Sequence, residues 1–352
     1  MRRIIATLLI LTAIIPFFTA CAESTEQVEV VLSLAGDCIL GSDEPLHNAD
    51  DSFVGIMKAN GNDFSYPLAL AQDLFANDDY TLINLECVLT DKKQGRNKDL
   101  YTNFRGPASY VNILTEGSVE GVSLSNNHAL DYGQLGLRDC QASLDSAGIQ
   151  WAYNTTYFTF ECKGIRFAVF SFRRYYMETY YTWLEKEMAR IRSEEDIDFI
   201  IVCLHHGVEY ETRHNDYDQE RFAHHAIDYG ADLVVGTHPH VLQGIEVYKN
   251  RLIFYSLGNF SFGGNKEAKE AANPTAVMEV RLTFSQNELY SSQLIIHPFH
   301  ESGTSPKNNY QPTPVSGEEA QDVMKRLQDD TPFTLNPYIE GEGAVQDIIY
   351  VN

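Results

Sequence analysis

The chain is short of the features that staple small secreted domains and of those that grip nucleic acid. Its six cysteines are scattered through 352 residues with no CxxC or other zinc spacing, so neither a disulfide scaffold nor a structural zinc module is indicated. Basic residues are scarce: 26 Lys and Arg face 49 Asp and Glu, for a formal net charge of −23. Phosphates would be repelled over most of such a surface, which argues against a nucleic-acid binder. No internal repeat is visible. What remains is a globular composition, 44% hydrophobic and 21% charged. The length suits one large domain or two small ones, and it can bury a core without staples.

Residues 1–20 read as a targeting segment rather than part of the fold. Arg2 and Arg3 form a basic start, Ile4 to Ala20 is almost entirely apolar, and Cys21 precedes a polar run. The apolar stretch is short for a membrane span and suits a signal peptide. Phe18-Thr19-Ala20-Cys21 resembles a lipobox, with a large apolar residue at −3, a small one at −1 and then the cysteine. The expectation is a protein outside the cytoplasmic membrane, tethered to the bacterial membrane through lipidated Cys21. An uncleaved N-terminal anchor is the alternative. Removing residues 1–20 removes two Arg and no acid, so −23 becomes −25. Residues 21–27 are then a tether and 28–300 the folded domain. Residues 301–352 form a Pro/Ser-rich linker with a helical tail centred on Glu318–Leu327. Cys38, Cys87, Cys140, Cys162 and Cys203 are expected as buried free thiols, with a Cys38–Cys87 disulfide as the alternative.

Apolar strand-like runs alternate with helical stretches. Strands are expected at Val28–Ala35, Tyr80–Leu85, Gly121–Leu124, Arg166–Phe172, Phe199–Leu204, Leu233–Val235, Leu252–Tyr255 and Ala276–Phe284. Helices are expected at Pro67–Asn77, Ser109–Gly117, Leu135–Ala147, Trp183–Arg192 and Gln219–Tyr229. This alternation indicates an α/β architecture.

Polar residues able to bind metal recur where the apolar strands stop: Asp37, Glu86, Asn127-His128, His205 and His238-x-His240. In open α/β sheets the site lies beyond the carboxyl ends of the strands. Each residue alone has a plainer explanation, as a turn residue, a helix cap or a core histidine. Their succession at strand ends points to a divalent-metal site, and imidazole with carboxylate suits Zn, Mn or Fe.

These motifs in order resemble one family. They are Gly36-Asp37; Asn84-Leu85-Glu86; Leu124-Ser125-Asn126-Asn127-His128-Ala129-Leu130-Asp131-Tyr132-Gly133; His205-His206-Gly207-Val208-Glu209-Tyr210; Gly230-Ala231-Asp232 through His238-Pro239-His240-Val241-Leu242-Gln243; and Tyr255-Ser256-Leu257-Gly258-Asn259-Phe260. The sequence resembles the CapA family of poly-γ-glutamate capsule biosynthesis proteins from about Val30 to about Phe299. That family is a branch of the calcineurin-like metallophosphoesterases. The resemblance implies a four-layer α/β/β/α sandwich of mixed sheets, with the metal site at strand C-terminal ends. It also implies a place in a membrane-bound assembly, a capsule polymer synthase complex, that makes or exports an anionic polymer.

By the same resemblance, Asp37 matches the first-strand ligand and Glu86 stands where a bridging Asp usually sits. Asn127 is the amide ligand, His128 the proton donor, His205 the mid-chain ligand, and His238 and His240 the final pair. Two departures matter. Ile39 occupies the position of a His in the superfamily's first motif, and Glu86 is one methylene longer than Asp. The site therefore holds one or two ions. Asp131 either orients His128 or caps its loop, and Glu209 either supports a ligand imidazole or acts as a base. His206 is not expected as a ligand, and Asn259 either contacts the site or holds a structural turn.

Three arginines are candidates for a carboxylate or phosphate substrate: Arg105, and Arg173 with Arg174 at a strand end. Surface salt bridges are the alternative for the latter two. Tyr175, Tyr176, Tyr180 and Tyr181, with Trp183, either floor a polymer groove or pack as a lid. The leading functional reading is handling of an anionic capsule polymer such as poly-γ-glutamate. The alternatives are a metal-dependent hydrolase of cell-envelope substrates, either phosphoesterase or amidohydrolase, and a non-catalytic scaffold.

Overall fold

A computed structural model describes residues 27–267, 269–270 and 273–349, with the side chains of 174–178, 180 and 349 left out. The expected signal segment and Cys21 lie outside these residues. Two large sheets form the frame. The first runs in the order Thr313–Pro314, Glu288–His300, Pro274–Ser285, Gln27–Ile39, Tyr80–Leu85, Gly121–Ser123, Gln150–Ala152. Asn259–Phe262 pairs with Gln27–Ile39, and Ala344–Ile349 with Glu288–His300. The second runs Ile245–Tyr248, Arg251–Phe254, Leu233–Thr237, Phe199–His205, Ile165–Arg173, Asn154–Cys162. A small sheet of Ser42–Asp43, Phe104–Gly106 and Val88–Leu89 sits beside them.

The central strands pair in parallel: Gln27–Ile39 with Tyr80–Leu85 and on to Gly121–Ser123, and Ile165–Arg173 with Phe199–His205 and Leu233–Thr237. Parallel strands covered on both faces read as continuous apolar runs rather than alternating ones. Phe199-Ile200-Ile201-Val202-Cys203-Leu204 is such a run and is buried throughout.

Three apolar clusters follow. One joins side chains of both sheets, including Leu32, Leu82, Val169 and Ile201. A second lies between the first sheet and helices Phe53–Ala59, Val111–Glu116 and Gly133–Ala147. A third lies between the second sheet and helices Arg174–Glu194 and Arg221–Asp228. Each fully buried Phe or Leu in these clusters is worth about 1.5–3 kcal/mol.

Most expected elements are present with shifted ends. Pro67–Asn77 is not one helix but a short turn at Tyr66–Leu68 and a single-turn helix at Gln72–Phe75. Leu68, Ala71 and Phe75 still reach the core, so the apolar spacing reports burial without a continuous helix. The stretch after Ser302 carries helix Gly317–Gln328, whose Ala320, Val323 and Leu327 join the inter-sheet cluster, and strand Ala344–Ile349. Cys38 and Cys87 are buried free thiols without a disulfide, and burial pushes Cys38 up to about 12. Tyr181 packs on Phe222 and Trp183 on Phe170 and Phe172, inside the outer core. Both are half-buried against that core, and the other tyrosine side chains of the stretch, Tyr175, Tyr176 and Tyr180, lie outside those described.

The first strand crosses the Leu257-Gly258 turn at Gly36. A Cβ there would stand 2.0 Å from the Gly258 carbonyl oxygen, with backbone on both sides and no side chain free to yield. Gly36→Ala is expected to cost at least about 1–3 kcal/mol, as overpacking does, read as a lower urea midpoint. An unchanged midpoint would show that this crossing is not tight.

Candidate metal centre

The strand register assembles the site. Asp37 lies between Asn84 of Tyr80–Leu85 and Asn259 of Asn259–Phe262. Glu86 immediately follows its strand, His205 ends Phe199–His205, and Thr237 ends Leu233–Thr237 just before His238. All of these are carboxyl ends of neighbouring parallel strands. His238 and His240 have φ of 103° and 59°, a left-handed backbone that non-glycine residues adopt at a cost of about 1–3 kcal/mol each. Around Pro239, this backbone turns both imidazoles inward.

The expected ligands converge. Ligand atoms of Glu86, His205 and His238 lie within 4.8 Å of one another, as do those of Asp37, Glu86 and His240. Asn127 Oδ1 is 2.6 Å from His205 Nε2, while His205 Nδ1 is 3.0 Å from Thr237 Oγ1. The hydroxyl thus occupies one ring nitrogen and leaves the other facing the cluster. Asn84 donates to Asp37 Oδ1 at 2.7 Å, and the His238 N–H donates to Asp37 Oδ2 at 3.1 Å. Ile39, by contrast, is buried in the apolar core, so its strand brings one ligand and not two.

The protonation pattern is that of a cation site. Burial pushes His205 down to about 3 and His238 down to about 2, so both offer neutral lone pairs. Burial and then Asp37 push Glu86 up to about 8. Burial opposes the charge on His240, but Glu86 and Asp37 outweigh it and hold the ring up at about 10. Burial likewise opposes ionisation of Asp37, yet the His240 hydrogen bond and the charges of His205 and His240 keep it below the usual carboxylate range. Glu86 is fully buried, and neither of its oxygens has a hydrogen-bond partner among the described residues. His238 Nδ1 is also unpartnered. A buried, unpaired carboxylate costs far too much to keep without a cation or a proton. These residues fit a divalent metal.

His128 Nδ1 lies 2.8 Å from Asp131 Oδ2, which also accepts from the Phe104 N–H at 2.6 Å. Asp131 thus ties the His128 ring to the backbone of the separate Phe104–Gly106 strand. Burial opposes the His128 charge, but the Asp131 bond raises the ring above its ordinary value. His128 and His240 line a cleft of about 810 Å³ whose mouth carries Tyr101, Glu209, Tyr210 and Lys269. Glu209 comes within 4.8 Å of His238 and His240.

Arg105 does not line this cleft. It is buried, pairs with Glu44 at 3.2 Å, donates to the Thr90 carbonyl and meets His47. Burial in a small sheet demanded a carboxylate partner, and that partner is internal. Arg173 ends its strand directly beside His205, and its charge adds to the depression of His205 and His238. The Arg174, Tyr175, Tyr176 and Tyr180 side chains lie outside those described. His206 rests near Phe222, away from the ligand group.

Two residues near the site, Glu301 and Lys269, escaped the sequence reading. Asn259 places Oδ1 3.0 Å from His240 Nδ1 and donates Nδ2 to Glu301 at 2.8 Å. Glu301 is fully buried, and burial pushes it up to about 7. Lys269 holds its ammonium 2.6 Å from Tyr210 Oη and over that ring. Its neighbour Lys266 pairs with Asp51 at 2.6 Å, whereas Lys269 makes no ion pair with a carboxylate among the described residues.

Residues 31–264 match the bacterial capsule synthesis protein PGA_cap family. The chain is 28% identical over 322 residues to "Capsule biosynthesis protein CapA" of Bacillus anthracis, covering 79% of this chain and 75% of that protein. It is 28% identical over 212 residues to "PGA biosynthesis protein CapA" of Bacillus subtilis (strain 168), covering 54% of this chain and 55% of that protein. The crystal structure of a hypothetical protein from Thermus thermophilus covers 76% of this chain and 99% of its own at 17% identity, with a TM-score of 0.45. The matched segment contains Asp37, Glu86, Asn127, His205, His238 and His240, whereas Lys269 and Glu301 fall after it. With the match spanning most of its length, the chain belongs to the bacterial capsule synthesis protein family PGA_cap.

Proposed function

We propose that this protein works outside the cytoplasmic membrane in the synthesis or export of an anionic capsule polymer, poly-γ-glutamate by its relatives' names. In this reading a divalent ion, Mn, Zn or Fe, is held by Asp37, Glu86, Asn127, His205, His238 and His240. Tethering through lipidated Cys21, with an uncleaved N-terminal anchor as the alternative, falls outside the described residues, among which no helix is long and apolar enough to cross a membrane. The three apolar clusters support a four-layer α/β/β/α sandwich of the metallophosphoesterase type. The polymer synthase complex is the proposed partner.

The observation that carries this reading is the buried, unpartnered Glu86 carboxylate among three imidazoles at strand ends. An acidic chain repels an acidic polymer over most of its surface. The cleft, lined by Lys269 but also by Asp43 and Glu209, would owe its attraction to a metal at its floor, with Lys269 at the mouth beside the apolar Pro45, Leu46 and Tyr101. Such a surface suits a chain of carboxylates spaced by methylenes.

A metal-dependent hydrolase is the second reading, favoured by the His128–Asp131 pair. A bound ion would supply an activated water and polarise the scissile group. Asp131 holds His128 Nδ1, which leaves Nε2 as the ring atom available to give a proton to a leaving group in the cleft.

Metal content after loading, wild type against the His238→Ala/His240→Ala double variant, tests the site. At least one ion per chain in the wild type and its loss in the variant are expected. A folded wild type that takes up no Mn, Zn or Fe would overturn the metal reading and leave a scaffold. The stoichiometry reads what Ile39 costs.

A further inference from the structure

The segment beyond the family match reaches back into the metal centre. Glu301 follows the Glu288–His300 strand, which pairs with Pro274–Ser285, itself beside Gln27–Ile39. This register carries a carboxylate far from the ligands in sequence to a fully buried place behind them.

Its bonding is directional. Asn259 turns its Nδ2 toward Glu301 and donates to Oε2 at 2.8 Å, and a carboxyl oxygen accepts that bond. Asn259 Oδ1 then faces His240 Nδ1 at 3.0 Å, and an amide oxygen only accepts. The proton must therefore sit on His240 Nδ1, where Asp37 Oδ2 at 3.5 Å also favours it. Nε2 is then the ring nitrogen that would give up its proton to a metal, while Nδ1 keeps its own. Without Glu301 the Asn259 amide is free to flip and present its N–H₂ to the same ring nitrogen. Nε2 would then carry the proton and be lost as a ligand.

The same residue fixes the cleft mouth. The Glu301 N–H donates to the Asn273 carbonyl at 2.8 Å, and the Asn273 N–H donates to the Lys269 carbonyl at 2.8 Å. The Lys269 backbone N–H faces the Glu301 carboxylate. One buried acid thus holds both a ligand imidazole and the loop that presents the cationic Lys269.

We propose that Glu301 is a positioning residue of the metal centre, acting through Asn259 to fix the ligand form of His240 and through the backbone to seat the Lys269 loop. This rests on the metal reading above. Partners that orient a ligating His are typically worth 10–100-fold in metal affinity.

The test is metal affinity by competition with a chelating dye, together with melting of the metal-free protein. Glu301→Leu keeps the bulk and removes the acceptor. It is expected to weaken metal binding by about 10–100-fold, while the metal-free protein melts no lower, because a buried carboxylate with an unpartnered Oε1 has gone. Glu301→Gln retains an acceptor for Asn259 and is expected to recover most of the affinity. In a His240→Ala background, Glu301→Leu is expected to cause no further loss. Wild-type affinity in Glu301→Leu, or an equal loss with and without His240, would overturn the proposal. Should Glu301→Leu not fold, Asn259→Ala in the wild-type and His240→Ala backgrounds reads the same coupling. A wild type that takes no metal overturns the metal reading first and this one with it, which is a distinct outcome.

Discussion

Glu86→Gln, stripped of metal, is expected to melt higher than the wild type above about pH 8 and to gain nothing from added metal. Glu86 is fully buried with both oxygens unpartnered, and burial with the neighbouring Asp37 charge pushes it up to about 8. An ordinary Glu titrates near about 4.3. Because the folded value is the raised one, Glu86 does no harm at low pH, where it is protonated in both states. Stability drains as pH climbs from about 4.3 toward 8 and the unfolded chain releases a proton that the folded one keeps. Above 8 the folded site carries a second buried carboxylate charge beside Asp37, with the His240 imidazolium as its counter-charge. His240, held up at about 10 by Glu86 and Asp37 against its burial, loses stability in the same direction over a higher range. Gln has no charge to bury, so the Glu86 part of this slope disappears. Leaving a buried group unsatisfied costs about 1–3 kcal/mol or more when it is charged, which sets the scale of the gain. Metal reverses the order. A ligand at a hundred times its Kd adds about 2.7 kcal/mol to the form that binds it, and only the wild type has the Glu86 carboxylate beside that of Asp37. Melting curves at pH 6 and pH 9, with and without metal, check all of this. Equal metal-induced gains in both proteins would remove Glu86 from the site.

The ligand set was legible because each member ends a continuous apolar run, and such runs are what buried parallel strands look like. Asp37, Glu86, His205 and the His238–His240 pair needed only the rule that sites gather at strand carboxyl ends. Arg105 illustrates the limit of that reasoning. It lies in a polar-looking stretch, yet the small sheet around it is buried, and Glu44 from a distant turn neutralises it. Asn259 and Glu301 depend on which strands pair, and the antiparallel additions at the edge of the first sheet leave little trace in sequence. Glu288–His300 is only partly buried and lacks a long apolar run, so neither the strand nor the acid that follows it stands out. Lys269 belongs to a loop whose relation to Tyr210 exists only in the folded chain.

If the centre turns over a substrate, His128→Ala is expected to lower the rate by about 10²–10⁴-fold, or about 2.7–5.5 kcal/mol in barrier, with metal content unchanged. The geometry assigns this residue a proton and not a ligand bond: Nδ1 is taken by Asp131 at 2.8 Å, and the ring lines the cleft. Asp131 raises His128 against the opposing effect of burial, so the acid form persists to higher pH than in a free imidazole. Asp131→Asn is expected to move the alkaline limb of the rate profile to lower pH, since a neutral amide no longer stabilises the imidazolium. A general acid also leaves a signature that a packing residue does not. Its loss matters most when the leaving group is a poor one and least when it departs unprotonated. Metal-loaded wild type and His128→Ala would be compared on a p-nitrophenyl and an alkyl phosphodiester, and on a γ-glutamyl p-nitroanilide and an alkyl amide. The defect should shrink within each pair on passing to the nitroaryl leaving group. A uniform defect would make His128 structural, and wild-type rates in the variant would take it out of the chemistry. A loaded wild type without turnover on any of the four would favour polymer handling, in which the same cleft binds the chain without cutting it.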